Sequence, residues 1–537
     1  MSSCTRVLIV NNVKLSLNAS FEEAFLVTSK KLKSVGVNTA GLSFSIYKKS
    51  VDARNKSDIF FVYSVRVSGE IPDIPKYKLE KISAQEISEG DVWDFERGSE
   101  PLSAPPVVVG SGPCGLFAAL ILAEAGYKPI VIERGGSVAE RRAAVLSFNL
   151  GSHLNTETNI QFGAGGAGTF SDGKLVTRIN DAYCSYVLRT FVEYGAPEEI
   201  LYQAKPHVGT DVISVIVEKM LDKICKLGGE VRYHTRLIGI ESLGERKIAR
   251  TTTGDIEYGA LILAIGHSAR DTYEYLINSG YAIEPKSFSV GMRIEHLARK
   301  IDEAMYGSFA GHPALAHAEY NLSHNTKERG VYTFCMCPGG EVVAAASEEG
   351  GTVVNGMSNH KRSGRNSNSA VVCSIFKEDY GNSPVSAIEF QRKIERAAFK
   401  AGGEDYSAPI ITVGDFLSGE CNKEPDEVIP TYKDGKFVTL SRPEKYLPEV
   451  VCNSIKGALV DFDKKIHGFA ANGAVLTGAE TRTSAPLRLL RNPETRLALG
   501  KEDIYPAGEG AGYAGGITSA AVDGIRTAIA VMKRFKP

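Results

Sequence analysis

The amino-terminal part of the chain shows a succession of extended and helical patterns of apolar residues. The stretch RVLIVNNVKLSL (residues 6–17) predicts a strand, and FEEAFLVTSKKLKS (21–34) has the apolar spacing of a helix with one buried side. Further strands are predicted for LSFSIYKK (42–49) and DIFFVYSVRVS (58–68), where residues alternate with a period of two. The order strand, helix, strand, strand predicts a small α+β unit over residues 1–70.

This order suits half of a ferredoxin-like domain packed on something larger. Residues 71–104 hold several prolines, a charged patch and the only tryptophan, Trp93, and they predict a connector. The basic stretch KKSVDARNK (48–56) is interpreted as a solvated hairpin tip, because no aromatic residues for stacking bases interrupt its charges. The formal net charge of −1 gives no general case for a nucleic-acid or membrane partner.

A glycine-rich turn between two apolar strands opens the next part of the chain. Val107–Val109 predicts a buried strand, residues 110–115 (GSGPCG) a turn, and Leu116–Ala125 a helix. Pro129–Ile132 predicts a second strand, which ends at Glu133. This is the strand, turn, helix, strand order of a dinucleotide-binding unit.

The three glycines of the turn, the helix after it and Glu133 each have a structural role in dinucleotide binding. Gly110 permits the tight turn, Gly112 lets the backbone approach a pyrophosphate, and Gly115 allows close helix–strand packing. The free N–H groups and the dipole of the helix N-terminus favour phosphate binding. Glu133 lies 18 positions after Gly115 (133 − 115), where an acid holds ribose hydroxyls and disfavours a 2′-phosphate. Cys114 is interpreted as a small filler in the helix rather than a reactive thiol.

The remaining elements favour FAD over NAD. A strand at Ala260–Ile265 runs into a glycine, a short strand at Ile504–Ala507 meets residues 508–510, and a last helix begins near Gly516. This order resembles the FAD domain of the glutathione-reductase-like flavoproteins. The resemblance implies that Glu509 stands where those proteins place an aspartate on the ribityl–phosphate portion. It also implies that the N-terminus of the last helix points at the N1–C2=O edge of the flavin and stabilises negative charge there.

A closer resemblance covers most of residues 50–537. The stretches that carry it are VVVGSGPCGLFAAL (107–120), GAGGAGTFSDGKL (163–175), FSVGMRIEH (288–296), FCMCPGGEVV (334–343), NGMS (355–358), ETRTSAPLR (480–488) and AGEGAGYAGGI (507–517). Together they are similar to the uncharacterised bacterial FAD-dependent dehydrogenase family. That family implies the fold and the cofactor and leaves the substrate open.

The stretch at residues 163–175 is interpreted as a loop along the flavin, since its glycines let the backbone cross where side chains would collide. Its polar residues would reach the rim of the ring, and Lys174 or backbone N–H groups could tune the flavin potential. The alternative is a loop whose glycines serve only tight packing. The residues predicted to contact FAD are Gly110, Ser111, Gly112, Pro113, Cys114, Gly115, Glu133, Arg134, Arg141, Gly165, Gly166, Gly168, Thr169, Ser171, Asp172, Gly173, Lys174, Leu175, Leu237, Ala264, Ile265, Gly266, Gly508, Glu509, Gly510, Gly515, Gly516 and Ile517.

Two sequence motifs of flavoprotein disulfide reductases are absent, which limits the expected domains. No second GxGxxG follows a strand between Gly136 and Gly478, and no CxxxxC pair follows the first unit, so a separate NAD(P)H domain is not expected. We predict an α/β protein: a Rossmann-type FAD-binding domain (ββα three-layer, glutathione-reductase-like) with an inserted α+β substrate domain and a small N-terminal α+β (ferredoxin-like) domain. The predicted parts are 1–100 (N-terminal domain and connector), 101–280 (first part of the FAD-binding domain), 281–475 (inserted domain) and 476–537 (C-terminal part of the FAD-binding domain).

Two polar stretches supply candidate catalytic residues. In SVGMRIEH, Arg293 and Glu295 alternate onto one face with His296 just beyond, a trio that could bind an anionic substrate and relay a proton. In GAETRTSAPLR, Glu480 and Arg482 lie close in sequence to the flavin-binding tail, and an arginine there could clamp a carboxylate. The alternatives are an ion pair beside a satisfied histidine, and a structural salt bridge.

The positions of the cysteines and histidines predict neither a redox-active disulfide nor a metal site. Cys335 and Cys337 lie before a Pro-Gly-Gly turn that predicts a hairpin, and i and i+2 on one strand are about 6.6 Å apart, too far for a disulfide without distortion. Buried or substrate-facing thiols are therefore favoured over a redox pair. Residues 355–370 predict a mobile polar loop. His312 and His317 have no matched ligands nearby in sequence, so no metal site is predicted.

The sequence predicts an FAD-dependent oxidoreductase that transfers hydride between flavin N5 and an unidentified small molecule held between the FAD-binding and inserted domains. NAD(P)H is a candidate transient electron donor. The alternatives are a flavin-dependent tRNA-modifying enzyme and a non-enzymatic flavin redox sensor. No secretory signal and no apolar run of about 18 residues is visible, so a cytoplasmic protein with no membrane partner is expected. The oligomeric state stays open.

Overall fold

The computed structural model describes residues 6–87, 93 and 95–537. This part of the chain separates into two compact units. The small unit takes its described residues from Met1–Asp94, Pro197–His207 and Asp302–Ala318, and the large unit comprises Phe95–Ala196, Val208–Ile301 and Glu319–Pro537. The predicted domain boundaries at residues 100, 280 and 475 stay predictions.

The small unit contains a four-stranded sheet with helices. Its elements are β1 (Arg6–Ser16), α1 (Phe21–Ser34), β2 (Ser43–Asp52), β3 (Phe60–Gly69), α2 (Lys76–Lys81) and β4 (Ala84–Ile87). The strand order is β2–β3–β1–β4 with every pair antiparallel, which is the ferredoxin-like arrangement. Burial alternates along β3, as the period of two predicts.

Two predictions for this region need correction. Within the predicted connector 71–104, α2 and β4 are regular elements, and β4 pairs with β1; residues 88–92 and 94 lie outside the described residues. Residues 48–52 of the basic stretch belong to β2 rather than to a hairpin tip, and Arg54 in the following turn pairs with Asp52.

The other helices and strands are listed here in chain order. The strands are β5 (Glu100–Pro101), β6 (Pro106–Val109), β7 (Ile130–Ile132), β8 (Glu230–Arg232), β9 (Leu237–Leu243), β10 (Arg246–Thr251), β11 (Gly254–Glu257), β12 (Ala260–Leu263), β13 (Ile283–Pro285), β14 (Phe288–Leu297), β15 (Ser323–Asn325), β16 (Gly330–Cys337), β17 (Glu341–Ala344), β18 (Val354–Met357), β19 (Asn366–Ile375), β20 (Ala408–Thr412), β21 (Val438–Leu440), β22 (Val475–Glu480), β23 (Leu487–Leu489), β24 (Ile504–Pro506) and β25 (Phe535–Lys536). The helices are α3 (Pro113–Glu124), α4 (Val138–Asn149), α5 (Tyr183–Glu193), α6 (Gly209–Lys226), α7 (Arg270–Asn278), α8 (Ala298–Tyr306), α9 (Lys377–Tyr380), α10 (Pro384–Gly402), α11 (Val413–Ser418), α12 (Glu449–Lys465) and α13 (Ile517–Arg534).

A five-stranded parallel sheet in the order β24–β12–β6–β7–β8 forms one half of the large unit. Its strands are the ones that the sequence predicts around the first glycine-rich turn and near the C-terminus, and α3 begins at Pro113, three residues before the predicted start. Helix α13 packs closely on α3, since a Cβ at Gly524 would collide with the carbonyl oxygen of Cys114. In a parallel sheet the carboxyl ends of the strands share one edge, where ligands bind.

The other half is a seven-stranded sheet in the order β15–β16–β19–β14–β22–β20–β21. Its central strand β14 is buried along nearly its whole length, so the sheet is covered on both faces. The predicted hairpin around the Pro-Gly-Gly turn is wrong: β16 pairs with β15 and β19, whereas β17 pairs with β18 in a separate ribbon. The chain changes sheets at this turn. The predicted loop 355–370 is also too long, because β18 and β19 occupy both of its ends.

No helix within residues 6–87 and 95–537 is long and apolar enough to cross a membrane.

Candidate functional site

The first glycine-rich turn brings backbone from β6, β12 and α3 into close approach. Gly110 has φ of 98°, and a Cβ there would lie 2.5 Å from the carbonyl oxygen of Ala264. A Cβ at Gly115 would collide with the carbonyl oxygen of Gly110. Gly112 is the N-cap of α3 and Pro113 its first residue, a position that suits proline. The turn therefore requires glycine for the backbone approach that the sequence predicts.

The glycine-rich segment 163–175, called the bridging loop below, lies against the N-termini of both α3 and α13. A Cβ at Gly166 would lie 2.8 Å from the Cα of Gly112. A Cβ at Gly168 would lie 3.3 Å from Ile517, the first residue of α13. The Thr518 hydroxyl donates to the carbonyl oxygen of Leu175 at 2.7 Å. Two helix N-termini, each with unpaired N–H groups and a positive dipole end, thus flank one loop.

The sequence places Arg141 among the FAD contacts, but the structure uses its guanidinium to hold the bridging loop. Nε donates to Asn159 O at 2.8 Å, Nη2 to Ile160 O at 2.5 Å, and Nη1 to the carbonyls of Ala164 and Gly166 at 2.9 and 2.8 Å. Burial lowers the pKa of Arg141 to about 10, so the side chain stays cationic at neutral pH. Arg141 positions the loop through its carbonyl groups.

Glu133 ends β7 as predicted, and its carboxylate is fully engaged within the protein. Oε2 accepts from Ser111 N at 3.0 Å and Ser111 Oγ at 2.7 Å, and Oε1 accepts from Gly135 N and Gly163 N, both at 3.0 Å. The carboxylate ties the glycine turn to the start of the bridging loop. Its contact with a ribose stays a prediction.

Several other predicted contacts serve the packing around the site. The Arg134 guanidinium donates to the carboxylates of Glu157 and Asp271, which neutralise its positive charge inside the protein. Burial raises the pKa of the Cys114 thiol well above its usual value, as the filler interpretation requires. Leu237 is buried in the core beside the parallel sheet.

The predicted C-terminal contacts lie at the same edge of the parallel sheet. Gly510 packs on Gly266, where a Cβ would lie 2.6 Å from the carbonyl oxygen. Nδ1 of His267 lies 3.4 Å from Glu509 Oε1, and its buried Nε2 has no hydrogen-bond partner among the residues that the structure describes. A Cβ at Gly515 would meet nothing within 4 Å. The sequence analysis missed His267, although its place directly after the β12 glycine was a signal.

The polar end of the bridging loop points toward the seven-stranded sheet. The Asp172 carboxylate accepts from Arg362 through both oxygens and from the Ser358 hydroxyl. Lys174 Nζ lies 3.7 Å from Asp172 and 3.5 Å from Glu319. The sequence analysis missed Arg362, whose partner is 190 positions away. Asp172 and Lys174 are thus held by protein groups.

The candidate catalytic residues Arg293 and Glu480 form a buried pair. Arg293 Nε and Nη2 donate to the two carboxylate oxygens of Glu480 at 3.0 and 3.1 Å. Burial works against the charge on Arg293, but Glu480 raises its pKa above the ordinary value. The predicted neighbour Glu295 instead accepts from Thr431 and Asn366. Arg293 thus forms an ion pair with Glu480 rather than with Glu295, and the catalytic roles of these residues stay predictions.

His296 and Arg482 are likewise bound to protein groups. His296 Nε2 lies 2.7 Å from Phe469 O, and burial lowers its pKa to about 4, so the imidazole is neutral at pH 7. Arg482 donates Nε and Nη2 to the two oxygens of Glu395 at 3.0 and 3.1 Å, and Nη1 to Ser347 Oγ at 2.9 Å. Arg482 thus forms a buried salt bridge with Glu395, and its role toward a substrate or the flavin stays a prediction.

Within the described ranges, no group of His, Cys, Asp and Glu residues has the arrangement of a metal site.

The site has the features that FAD requires. Two helix N-termini suit its pyrophosphate and the electron-rich edge of its flavin. In the bridging loop, a Cβ at Gly165, Gly166 or Gly173 would collide with protein atoms, so these glycines serve close packing, the alternative that the sequence left open. Open space lies instead at Gly515, and His267 offers a buried, unpartnered nitrogen beside Glu509 within the described residues. Gly110–Gly115, the bridging loop and residues 508–517 are the segments that would hold it.

Two family models that match parts of this chain concern FAD. Residues 287–483 match a family model described as FAD-dependent protein, C-terminal domain-like, and residues 104–148 match the FAD binding domain model. Residues 8–68 match a domain of unknown function. Among solved structures, CtdE in complex with FAD is 12% identical with a TM-score of 0.31, covering 79% of this chain and 84% of that chain. The halogenase PltM in complex with FAD is 11% identical with a TM-score of 0.35, covering 80% of this chain and 71% of that chain.

One relative aligns with nearly the whole chain. An uncharacterised protein of Clostridium beijerinckii is 45% identical over 535 residues, and the alignment covers 98% of each chain. The chain therefore belongs to the same family as this Clostridium protein, a family of bacterial FAD-dependent proteins, and is an FAD-dependent oxidoreductase.

Proposed function

We propose that this flavoprotein transfers hydride between the flavin N5 of FAD and a small-molecule substrate held where the bridging loop meets the seven-stranded sheet. The observation that supports the proposal is that the bridging loop contacts both the predicted FAD site and the segment next to the seven-stranded sheet. Its glycine half lies against the N-termini of α3 and α13, and its polar half is bound to Arg362 of the sheet-forming segment. Bound FAD supplies a two-electron hydride carrier.

The chain's own residues provide binding, charge and shielding. The N–H groups at the start of α3 would hold the pyrophosphate, and the dipole end of α13 stabilises negative charge on a bound ring. Lys174 adds a cation, partly compensated by Asp172 and Glu319, at the polar half of the loop. Asp172, Gly173 and Leu175 are buried, which keeps water away from that end of the loop.

His267 is the group of this chain that we propose to hold a proton near the cofactor. Its Nδ1 lies 3.4 Å from the Glu509 carboxylate. Its Nε2 is buried and has no hydrogen-bond partner within the described residues. His296 also has a buried ring nitrogen, Nδ1, without a partner among the described residues, but it lies in β14 and its Nε2 contacts Phe469 O. His267 follows the glycine after β12, at the predicted FAD site, and therefore replaces His296 as the candidate for proton handling.

The test is anaerobic mixing of the FAD-loaded protein with NADH and with NADPH, each with hydrogen or deuterium at C4. Bleaching of the flavin by one nucleotide, slowed by deuterium on one face of C4, is expected if NAD(P)H is the donor. Bleaching without any isotope effect contradicts hydride transfer as the reducing step. If neither nucleotide bleaches the flavin, NAD(P)H is removed from the proposal and the substrate itself is the reductant to search for.

A further inference from the structure

Strand β16 is irregular where its two last cysteines lie. The register of its pairing with β19 shifts between Phe334 and Cys337, as in a β-bulge. Cys335, inside the bulge, has φ of 43°, a left-handed conformation that is uncommon for a residue with a side chain. In a regular strand, positions 335 and 337 would lie about 6.6 Å apart. The bulge is the local distortion that a close approach of the two side chains requires.

The two cysteines contact each other and one buried cation. Cys337 Sγ lies 3.3 Å from Cys335 O. Arg293 Nη1 donates to the same carbonyl at 3.1 Å and lies 4.0 Å from Cys337 Sγ. Across the strand pair, Cys337 is aligned with Asn368, whose buried Nδ2 has no hydrogen-bond partner within the described part of the chain. One buried cation, Arg293, therefore lies beside both the Cys335 carbonyl and the Cys337 sulfur.

The two thiols differ in a way that assigns different roles. Cys335 keeps partial solvent exposure, whereas Cys337 is buried. The hydrogen bond from Cys337, opposed by burial and aided by Arg293 and Lys174, lowers the pKa of Cys335 to about 7. The same hydrogen bond and burial raise the pKa of Cys337 well above its usual value. An accessible, partly ionised thiol beside a buried protonated thiol is the pattern of an attacking and a resolving cysteine.

We propose that Cys335 and Cys337 form a thiol–disulfide exchange site for low-molecular-weight disulfides. The Cys335 thiolate attacks one sulfur of the disulfide and forms a mixed disulfide, and the other half leaves as a thiolate. Cys337 then gives up its proton and attacks Cys335, so the intrachain S–S bond forms and the second thiol leaves. In total the protein loses two thiol protons and two electrons, and one disulfide takes them up to become two thiols.

Two charged residues of the bridging loop act on the thiol pair. Lys174 favours ionisation of Cys335, and Asp172 opposes ionisation of Cys337. The two-electron thiol couple is thus electrostatically coupled to the segment that is predicted to line the flavin site. The exchange reaction goes beyond the proposed hydride transfer and does not rest on it.

The test uses the FAD-loaded protein and glutathione disulfide as the probe. The protein is equilibrated anaerobically with glutathione couples of increasing oxidising strength, alkylated, digested and analysed by peptide mass spectrometry. We expect the peptide that holds both cysteines to lose two hydrogens and to escape alkylation in one two-electron transition. If Cys335 and Cys337 stay alkylatable at the most oxidising ratio, the proposal is overturned. This readout uses the unchanged chain and does not depend on any variant folding.

Variants then test the order of attack. Cys337→Ser should accumulate a glutathione adduct on Cys335, at a rate that rises with pH as the Cys335 thiol ionises. Cys335→Ser should form an adduct at Cys337 at least about tenfold more slowly, because that thiol is buried and protonated. Cys421→Ser, at another partly exposed cysteine, is the matched control and should keep the intrachain disulfide. Absence of an adduct on Cys335 in folded, FAD-loaded Cys337→Ser would contradict its role as the attacking thiol.

Discussion

Arg362 binds the Asp172 carboxylate through two donors, Nε at 2.9 Å from Oδ1 and Nη2 on Oδ2, and both side chains are buried. This pair joins the polar half of the bridging loop to the segment between β18 and β19. Paired charges in a protein interior are costly to separate, because the remaining charge loses its partner without gaining water. The pair is therefore a rigid link between the predicted flavin site and the sheet that would hold the substrate.

Replacing Arg362 should loosen this link. Arg362→Gln leaves the Asp172 carboxylate buried with the Ser358 hydroxyl as its remaining close donor, and should lower the free energy of unfolding by about 3–5 kcal/mol. It should also weaken FAD binding, because the loop loses its anchor. Urea unfolding of the apoprotein and FAD titration by fluorescence measure the two effects. Arg365→Gln removes a more exposed arginine bonded to Glu427 O and should change neither. Equal behaviour of the two variants would refute the anchoring role.

The close approach of Gly166 to Gly112 gives a test of the FAD site itself. Gly166→Ala puts a Cβ 2.8 Å from the Cα of Gly112, so the loop must move away from the start of α3. The variant should fold yet lose most of its bound FAD. Gly244→Ala is the matched control, since Gly244 has nearly the same φ (64° against 62°) and nothing within 4 Å of its Cβ. It places a Cβ at a similar positive φ without the clash. The ratio of flavin to protein absorbance after purification reports the outcome, and full flavin in Gly166→Ala would count against the site.

The local parts of the site could be predicted from the sequence, because they depend on neighbours in the chain. The strand before Gly110, the turn and the helix after it follow from apolar runs and glycine spacing, and all are present. The α13 start at residue 517 follows from the same kind of signal. Such features need only the backbone geometry of a few adjacent residues.

The partners of charged residues could not be predicted, because they come from distant parts of the chain. Arg293 pairs with Glu480 across 187 positions, whereas its sequence neighbour Glu295 binds other groups. A local reading placed Arg293 and Glu295 together because they share a strand face. The bulge at Cys335 was missed for a related reason: strand irregularity depends on the pairing with β19, which no local pattern reveals.

Because Arg482 forms a buried salt bridge, we expect its replacement to lower the stability of the protein rather than the rate of flavin reduction. Burial alone would raise the pKa of Glu395, but Arg270 and Arg482 hold it well below the usual range. Arg270 keeps its two hydrogen bonds to the Glu395 carboxylate in Arg482→Met. The variant should therefore lower the free energy of unfolding by only about 1–3 kcal/mol, while the flavin that stays bound is reduced at the normal rate. A double-mutant cycle with Glu395→Gln should show strong coupling, measured by urea unfolding. If instead flavin reduction slows markedly in a folded, FAD-loaded Arg482→Met protein, Arg482 acts on the cofactor, as the sequence-based prediction of a catalytic role requires.

Buried His296 predicts a loss of stability on acidification. Burial lowers its pKa to about 4 from 6.5, so between these values the unfolded chain binds more protons than the folded chain. The free energy of unfolding should then fall as pH falls from 6.5 to 4, by up to about 3 kcal/mol from this residue. The glutamine of the His296→Gln variant can still donate to Phe469 O, but it does not titrate. As pH falls from 6.5 to 4, the free energy of unfolding of the wild type should therefore decrease steadily relative to that of the variant. Urea unfolding at several pH values measures that difference, with His153→Gln at an exposed position as the control. A difference that stays constant from pH 7 to pH 4 would show that His296 is not the neutral, buried imidazole described above.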